Sequence, residues 1–313
     1  MNSDKKILIC DKIEPEGVDL LKESGFTILE NPTITPEELL EVISEVHVVV
    51  VRSRTKITES VINSGKILEL ICRPGTGIDN IDSSTAEKNN IPVFTSVEAS
   101  TNAVAELTIS LAVSLARSIP LADRSLKDNQ WIKNSILGSE LRGKTFGIIG
   151  LGRIGRRTGI LASALEMKVI GFEKQIVDKD YLSKYNVTQV ELNELLSKSD
   201  FISLHLPATP ETIHMIGKEQ FELMKNTSFL INTARGQLIV ESDLFDALSN
   251  NKIAGAALDV FETEPPTNTD LIKLKNLIAT PHIGAQIIEA QKEASIVIAQ
   301  KIINFYSENK TTE

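Results

Sequence analysis

The chain of 313 residues has a formal net charge of −9 and is 42% hydrophobic and 24% charged, ordinary globular proportions with room for two cores. Its excess of acid argues against non-specific nucleic-acid binding, which needs surplus Lys and Arg. No apolar run approaches the roughly 20 residues that span a bilayer. Residues 1–6 are polar and lead straight into a strand, so neither membrane nor signal peptide is expected and a cytoplasmic location is.

From residue 6 to about 94, short apolar runs alternate with helical patterns. Ile7-Leu8-Ile9 reads as a strand, and Pro15 opens a helix with Val18, Leu20 and Leu21 on one side. Phe26-Thr27-Ile28-Leu29 is the next strand, and Thr35-Pro36-Glu37-Glu38 is a helix start with Pro at its first position. Residues 48–51 read as a buried strand, Thr58-Glu59-Ser60-Val61 as a helix start, and 68–72 and Val93-Phe94 as further strands. Strands separated by helices imply a parallel sheet covered on both faces. Cys10 and Cys72 end strand-like runs without metal-ligand spacing, and read as reduced core thiols.

A long Ala- and Leu-rich helix is predicted over 101–118, then a more polar segment over 121–141 that holds the only tryptophan, Trp131. Its isolation suggests packing against something outside the local fold, such as a second subunit. Next comes Thr145-Phe146-Gly147-Ile148-Ile149, a buried strand that enters Gly150-Leu151-Gly152-Arg153-Ile154-Gly155, a helical run over 156–165, and the strand Lys168-Val169-Ile170-Gly171-Phe172 ending on Glu173. That order is what a dinucleotide-binding βαβ unit requires. Gly150 would permit the turn, Gly152 the approach of a pyrophosphate, and Gly155 close packing of helix on strand. The pyrophosphate would sit at the helix N-terminus. Glu173 could accept from the ribose hydroxyls and repels a 2′-phosphate, favouring NAD over NADP, although Lys174 beside it partly offsets that repulsion. Further strands are predicted over 201–204, 229–231, 253–258 and 277–279, and a last helix over 285–305 with apolar Ile287, Ala290, Ala294, Val297 and Ile298. The helix is long enough to return to the first domain. The expected organisation is a substrate-binding domain of residues 1–99 and 286–313 interrupted by an NAD-binding domain of residues 100–285.

Ligands of open parallel sheets bind beyond the carboxyl ends of the strands. There stand Asn232-Thr233-Ala234-Arg235-Gly236, then Asp259 to Pro266, then Thr280-Pro281-His282-Ile283-Gly284. Removing hydride from an alcohol requires a base for the hydroxyl proton, and histidine is best poised for it near neutral pH. A carboxylate would orient the imidazole, with Glu262 and Glu264 competing for that role. Arginine would grip a substrate carboxylate with its planar fork.

Together, residues 147–155, His205-Leu206-Pro207, 232–236, Ala257-Leu258-Asp259-Val260-Phe261 and 280–284 resemble the D-isomer-specific 2-hydroxyacid dehydrogenase family. The resemblance runs over nearly the whole chain. It implies two doubly wound parallel-sheet α/β domains, a Rossmann-type cofactor domain inserted into a flavodoxin-like substrate domain. It implies His282 as acid/base, Glu264 as its partner and Arg235 as the substrate-orienting residue. Cofactor contacts are implied at Gly150, Gly152, Arg153, Ile154, Gly155, Glu173, His205, Pro207, Thr212, Thr233, Asp259 and Gly284, with Asp259 near the nicotinamide carboxamide. No metal and a homodimer are implied as well.

Residues 51–56 and 73–80 resemble the corresponding segments of members that oxidise 3-phospho-D-glycerate. A phosphorylated 2-hydroxy acid needs cations away from the reacting carbon, which Arg52, Arg54 and Lys56 would supply beside Ser53. The loop at Gly75 and Thr76 would offer N–H groups to the substrate carboxylate, since Pro74 has none. Glu173 stands where Asp is common, and Ser100 where many members carry Asn. The sequence stops just after its last helix, so the regulatory domain of longer members, with its feedback by serine, is not expected. The alternatives are a reductase of glyoxylate, hydroxypyruvate or another 2-keto acid, and an NAD-sensing binding protein of the corepressor type.

Overall fold

The structure, a computed structural model, describes residues 4–175 and 177–308. It divides into two compact units, Met1–Ser100 with Ala285–Glu313, and Thr101–Gly284.

The first unit is built on five parallel strands, β1 (Lys6–Ile9), β2 (Thr27–Glu30), β3 (Val48–Val50), β4 (Leu70–Arg73) and β5 (Val93–Thr95), in the order β2-β1-β3-β4-β5. That is the flavodoxin-like order. Val48, Val49 and Val50 are all 0% exposed, the signature of a strand covered on both faces. The helix Pro36–Val42 starts where a capping box forms: the Glu38 amide donates to Thr35 Oγ1 at 3.2 Å and the Thr35 amide to Glu38 Oε2 at 2.9 Å.

The last helix, Ile288–Glu308, belongs to this unit. It begins at Ile288, not at 285, because residues 285–287 form the connecting turn; Ile287 lies outside the helix and is 39% exposed. Ala290, Ala294 and Ile298 are buried as the helix packs on Pro15–Glu23, where Ser295 Oγ donates to the Glu14 carbonyl at 2.8 Å. Gly17 permits that approach, since a Cβ there would overlap Ser295. Cys10 and Cys72 lie in separate core clusters on opposite faces of the sheet, so they cannot be bridged. Burial pushes the Cys10 thiol up to about 12 and raises that of Cys72 as well, leaving both unreactive.

The second unit holds seven parallel strands, β6 (Thr145–Ile149), β7 (Lys168–Phe172), β8 (Val187–Gln189), β9 (Phe201–Leu204), β10 (Phe229–Asn232), β11 (Gly255–Leu258) and β12 (Leu277–Ala279). Their order is β12-β11-β10-β9-β6-β7-β8, the doubly wound Rossmann arrangement with one strand added. The order reverses between β6 and β9, which places a ligand crevice at their carboxyl ends. β8 escapes a sequence reading because it is a three-residue edge strand with one buried apolar side chain, Val187. The helix Thr101–Arg117 buries Ala103, Val104, Leu111 and Leu115 against β10, β11 and the helix Arg153–Ala164. Ser118, at φ +49, ends it and a second helix, Ile119–Lys127, starts at a new angle. The more polar segment thus opens within a helix, and Trp131 and Leu137 beyond it are 77% and 98% exposed. Among the described residues no single helix is long and apolar enough to cross a membrane; the two just named pass such a test only as a pair bent by 64°.

Candidate active site

The glycine turn follows β6 at the switch point. Gly150 takes φ +98, open to glycine at little cost, and a Cβ there would stand 2.8 Å from the His205 carbonyl oxygen. Gly155 lies under the same turn, where a Cβ would overlap the Gly150 carbonyl. Gly152 differs from both: its φ of −70° suits any residue, and an added Cβ would meet nothing within 4 Å. The fold therefore does not require glycine at 152, whereas a pyrophosphate approaching the amides of Arg153 and Ile154 at the helix start would. Glu173, at the tip of β7, accepts from the Leu151 amide at 3.0 Å through Oε2 and from the Lys174 amide at 3.0 Å through Oε1. Its carboxylate is thereby held beside the glycine turn, and these residues fit a dinucleotide without a 2′-phosphate.

The neighbouring strand ends complete that edge. His205 follows β9, its Nε2 3.0 Å from Ser203 Oγ, and burial pushes its pKa down to about 3, so the ring is neutral. Pro207 and Thr212 belong to one closed loop, with Thr212 Oγ1 donating to the Pro207 carbonyl at 2.6 Å. Thr233 is buried after β10, its hydroxyl 2.9 Å from that of Thr108 on the helix Thr101–Arg117.

Arg235 is presented by a turn that Asn232 shapes: its side chain donates to the Arg235 carbonyl at 2.8 Å and accepts from the Ala234 amide at 3.0 Å. His282 sits after β12 at φ +53, with Nδ1 2.7 Å from Glu264 Oε2. A carboxylate only accepts, so Nδ1 carries the hydrogen and Nε2 is the basic nitrogen of a half-exposed ring. Glu264 is tied in turn to the Phe261 amide at 3.2 Å. Glu262, its competitor in the sequence, turns to His214 at 2.6 Å. Asp259 is 1% exposed and fully engaged: its carboxylate accepts from Thr280 Oγ1 at 2.6 Å, the Ile283 amide at 2.8 Å and the Gly284 amide at 2.8 Å. It thus holds the loop that carries His282. Asn232 and Thr280, quoted at the strand ends but given no role there, prove to shape the turn and the loop; Thr108 and His214 carry no signal in the sequence.

In the first unit the expected cations separate. The Arg54 guanidinium pairs with Asp11 at 3.0 Å and donates to the carbonyls of Cys10 at 2.5 Å, Ile34 at 2.9 Å and Pro32 at 3.0 Å. It is committed to joining the segments after β1, β2 and β3, which corrects its expected role as a phosphate contact. Arg52 bonds among the described residues through its amide and carbonyl and not its guanidinium, and Ser53 is exposed. Arg73, outside the expected set, ends β4 next to it and donates from Nε to the Arg52 carbonyl at 3.3 Å. The loop expectation is corrected too. Gly75, at φ +150, donates its amide to Ser96 Oγ at 2.8 Å, so the amides of Thr76 and Gly77 are the donors without a protein partner among the described residues. Thr76 Oγ1 lies 2.6 Å from Ser100 Oγ, and Arg73 Nη1 holds the Gly77 carbonyl.

Residues 109–284 match the family model for the D-isomer specific 2-hydroxyacid dehydrogenase NAD binding domain. The chain belongs to that family. Within the family, a D-3-phosphoglycerate dehydrogenase of Methanocaldococcus jannaschii is 45% identical over 298 residues, covering 95% of this chain and 56% of that protein. A hydroxypyruvate reductase of Thermotoga maritima is 40% identical over 300 residues, covering 95% of this chain and 97% of that protein. The crystal structure of D-lactate dehydrogenase from Aquifex aeolicus complexed with NAD and lactic acid superposes with a TM-score of 0.85 at 28% identity, over 98% of this chain and 97% of that one. The chain spans little over half the length of the phosphoglycerate dehydrogenase it matches. The cofactor of this family's domain is NAD, which agrees with the glycine turn and the Glu173 carboxylate.

Proposed function

We propose that the chain oxidises 3-phospho-D-glycerate to 3-phosphohydroxypyruvate with NAD, the first step of serine biosynthesis. The observation that carries the reading is the 2.7 Å contact of His282 Nδ1 with Glu264, which leaves Nε2 as a base. Bound NAD supplies the hydride acceptor for C2 of the substrate. His282 Nε2 takes the hydroxyl proton, Glu264 steadies the imidazolium that results, and Arg235 pairs with the substrate carboxylate. The phosphate preference is supported by Arg52 and by the name of the relative that is 45% identical. A hydroxypyruvate or glyoxylate reductase is the second reading, favoured by the near-equal length of the Thermotoga maritima relative. The presence of Arg235, Glu264 and His282 together disfavours a mere NAD sensor.

A steady-state panel decides. Phosphohydroxypyruvate with NADH should far exceed hydroxypyruvate and glyoxylate in kcat/KM, and equal values would replace the reading by the reductase. His282→Ala should lower kcat by roughly 10²–10⁴-fold with NADH binding retained; full activity would refute the assignment.

The same reading includes a cytoplasmic homodimer. Its support is the two inert buried thiols and the apolar side chains that residues 119–137 leave open, Leu126 at 59%, Trp131 at 77% and Leu137 at 98% exposure. Sedimentation velocity should give twice the chain mass, and Trp131→Lys should shift it to one chain mass.

A further inference from the structure

The segments that carry Arg235 and Glu264 touch at one place. A Cβ on Gly236 would overlap the Phe261–Glu262 peptide, so the arginine turn and the acid loop lie backbone against backbone. Gly236 itself brings no side chain to that contact. His214, far away on the loop after β9, reaches both sides of it. Its amide donates to the Gln237 carbonyl at 2.8 Å, two residues beyond Arg235. Its Nε2 stands 2.6 Å from Glu262 Oε1, two residues before Glu264. Glu262 is anchored again through its own amide, which donates to Glu241 Oε1 at 2.8 Å on the helix Glu241–Ser249.

We infer that the pair His214–Glu262 is a brace that sets the position of Arg235 relative to Glu264, and so of the carboxylate grip relative to the base. His214 is a positioning residue, acting through Gln237 and Glu262. At φ +57 it takes the left-handed conformation, in which its amide meets Gln237 and its ring meets Glu262. The shape of the contact explains the arrangement. A glycine–peptide abutment resists approach but not sliding, and a bond to each partner stops sliding. The inference rests on the catalytic reading of Arg235, Glu264 and His282 given above.

The test compares His214→Leu, His214→Gln and Glu262→Ala in the full chain. The backbone amide that donates to Gln237 is present in all three, so the substitutions are aimed at the ring contact. His214→Leu and Glu262→Ala should each raise KM for 3-phosphohydroxypyruvate and hydroxypyruvate at least tenfold and lower kcat less than that, with the NADH dissociation constant within twofold of the parent. The double variant should be no worse than either single one, and His214→Gln, which keeps a donor near the Nε2 position, should recover most of the loss. Parent-like KM in both single variants, or losses that multiply in the double variant, would overturn the brace. His282→Ala, measured alongside, separates the two ideas: if it is inactive while His214→Leu and Glu262→Ala behave as the parent, the brace falls and the catalytic reading stands, whereas an active His282→Ala removes the catalytic reading itself.

Discussion

Asp259 and Gly284 are joined by a hydrogen bond of 2.8 Å, in which the Gly284 amide donates to a carboxylate that is 1% exposed. The same carboxylate takes the Ile283 amide and the Thr280 hydroxyl, so the loop on both sides of His282 hangs on one side chain. Asp259→Asn is nearly the same size but turns one acceptor oxygen into a donor that must face another donor. A mismatch of this kind costs about 1–3 kcal/mol. The expected outcome is a lower melting temperature together with a fall in kcat, read by thermal unfolding and steady-state kinetics.

Gly152 and Gly155 should respond in opposite ways to alanine. At 155 the new Cβ overlaps the Gly150 carbonyl, backbone against backbone, so Gly155→Ala should destabilise the second unit by about 1–3 kcal/mol. At 152 the backbone is ordinary and the space is open. Gly152→Ala should therefore melt like the parent and yet bind NADH at least tenfold more weakly. Calorimetric unfolding and fluorescence titration with NADH check the pair.

Arg52 and Arg54, two residues apart, should divide stability from recognition. Arg54→Ala removes the partner of Asp11 and the donor to three carbonyls, and should cost about 1–3 kcal/mol in denaturant unfolding. Arg52→Ala keeps the backbone bonds of residue 52, the ones it makes among the described residues. It should leave unfolding unchanged and raise KM for phosphohydroxypyruvate more than for hydroxypyruvate. Equal increases for both would remove the phosphate argument.

His205 makes stability depend on pH. Its folded pKa is depressed to about 3 by burial, below the ordinary value of 6.5, so the unfolded chain binds the proton more readily. The contribution is complete above pH 6.5 and is lost as pH falls from there toward the folded value, with a slope of up to about 1.4 kcal/mol per pH unit. His47 in the first unit, also depressed by burial, has the same sign. Urea unfolding from pH 7.5 to 5 should show the decline, and His205→Gln should flatten it by about one proton.

Local chemistry in the chain was enough to reveal the glycine turn with its flanking strands, the helix start at Thr35-Pro36, the alternating α/β order and the strand ends where reactive side chains gather. These follow from requirements that a few consecutive residues meet by themselves: a positive φ at Gly150, a cap at a helix start, a run of apolar residues between covered faces. Tertiary structure alone decided which hydrogen-bonding group meets which. It gave Glu262 to His214, tied Arg54 to Asp11, spent the Gly75 amide on Ser96, and set Asp259 under the histidine loop. Each of those pairings joins segments that lie on different strand ends, and a buried donor or acceptor must find its partner wherever the packed sheets bring one within reach.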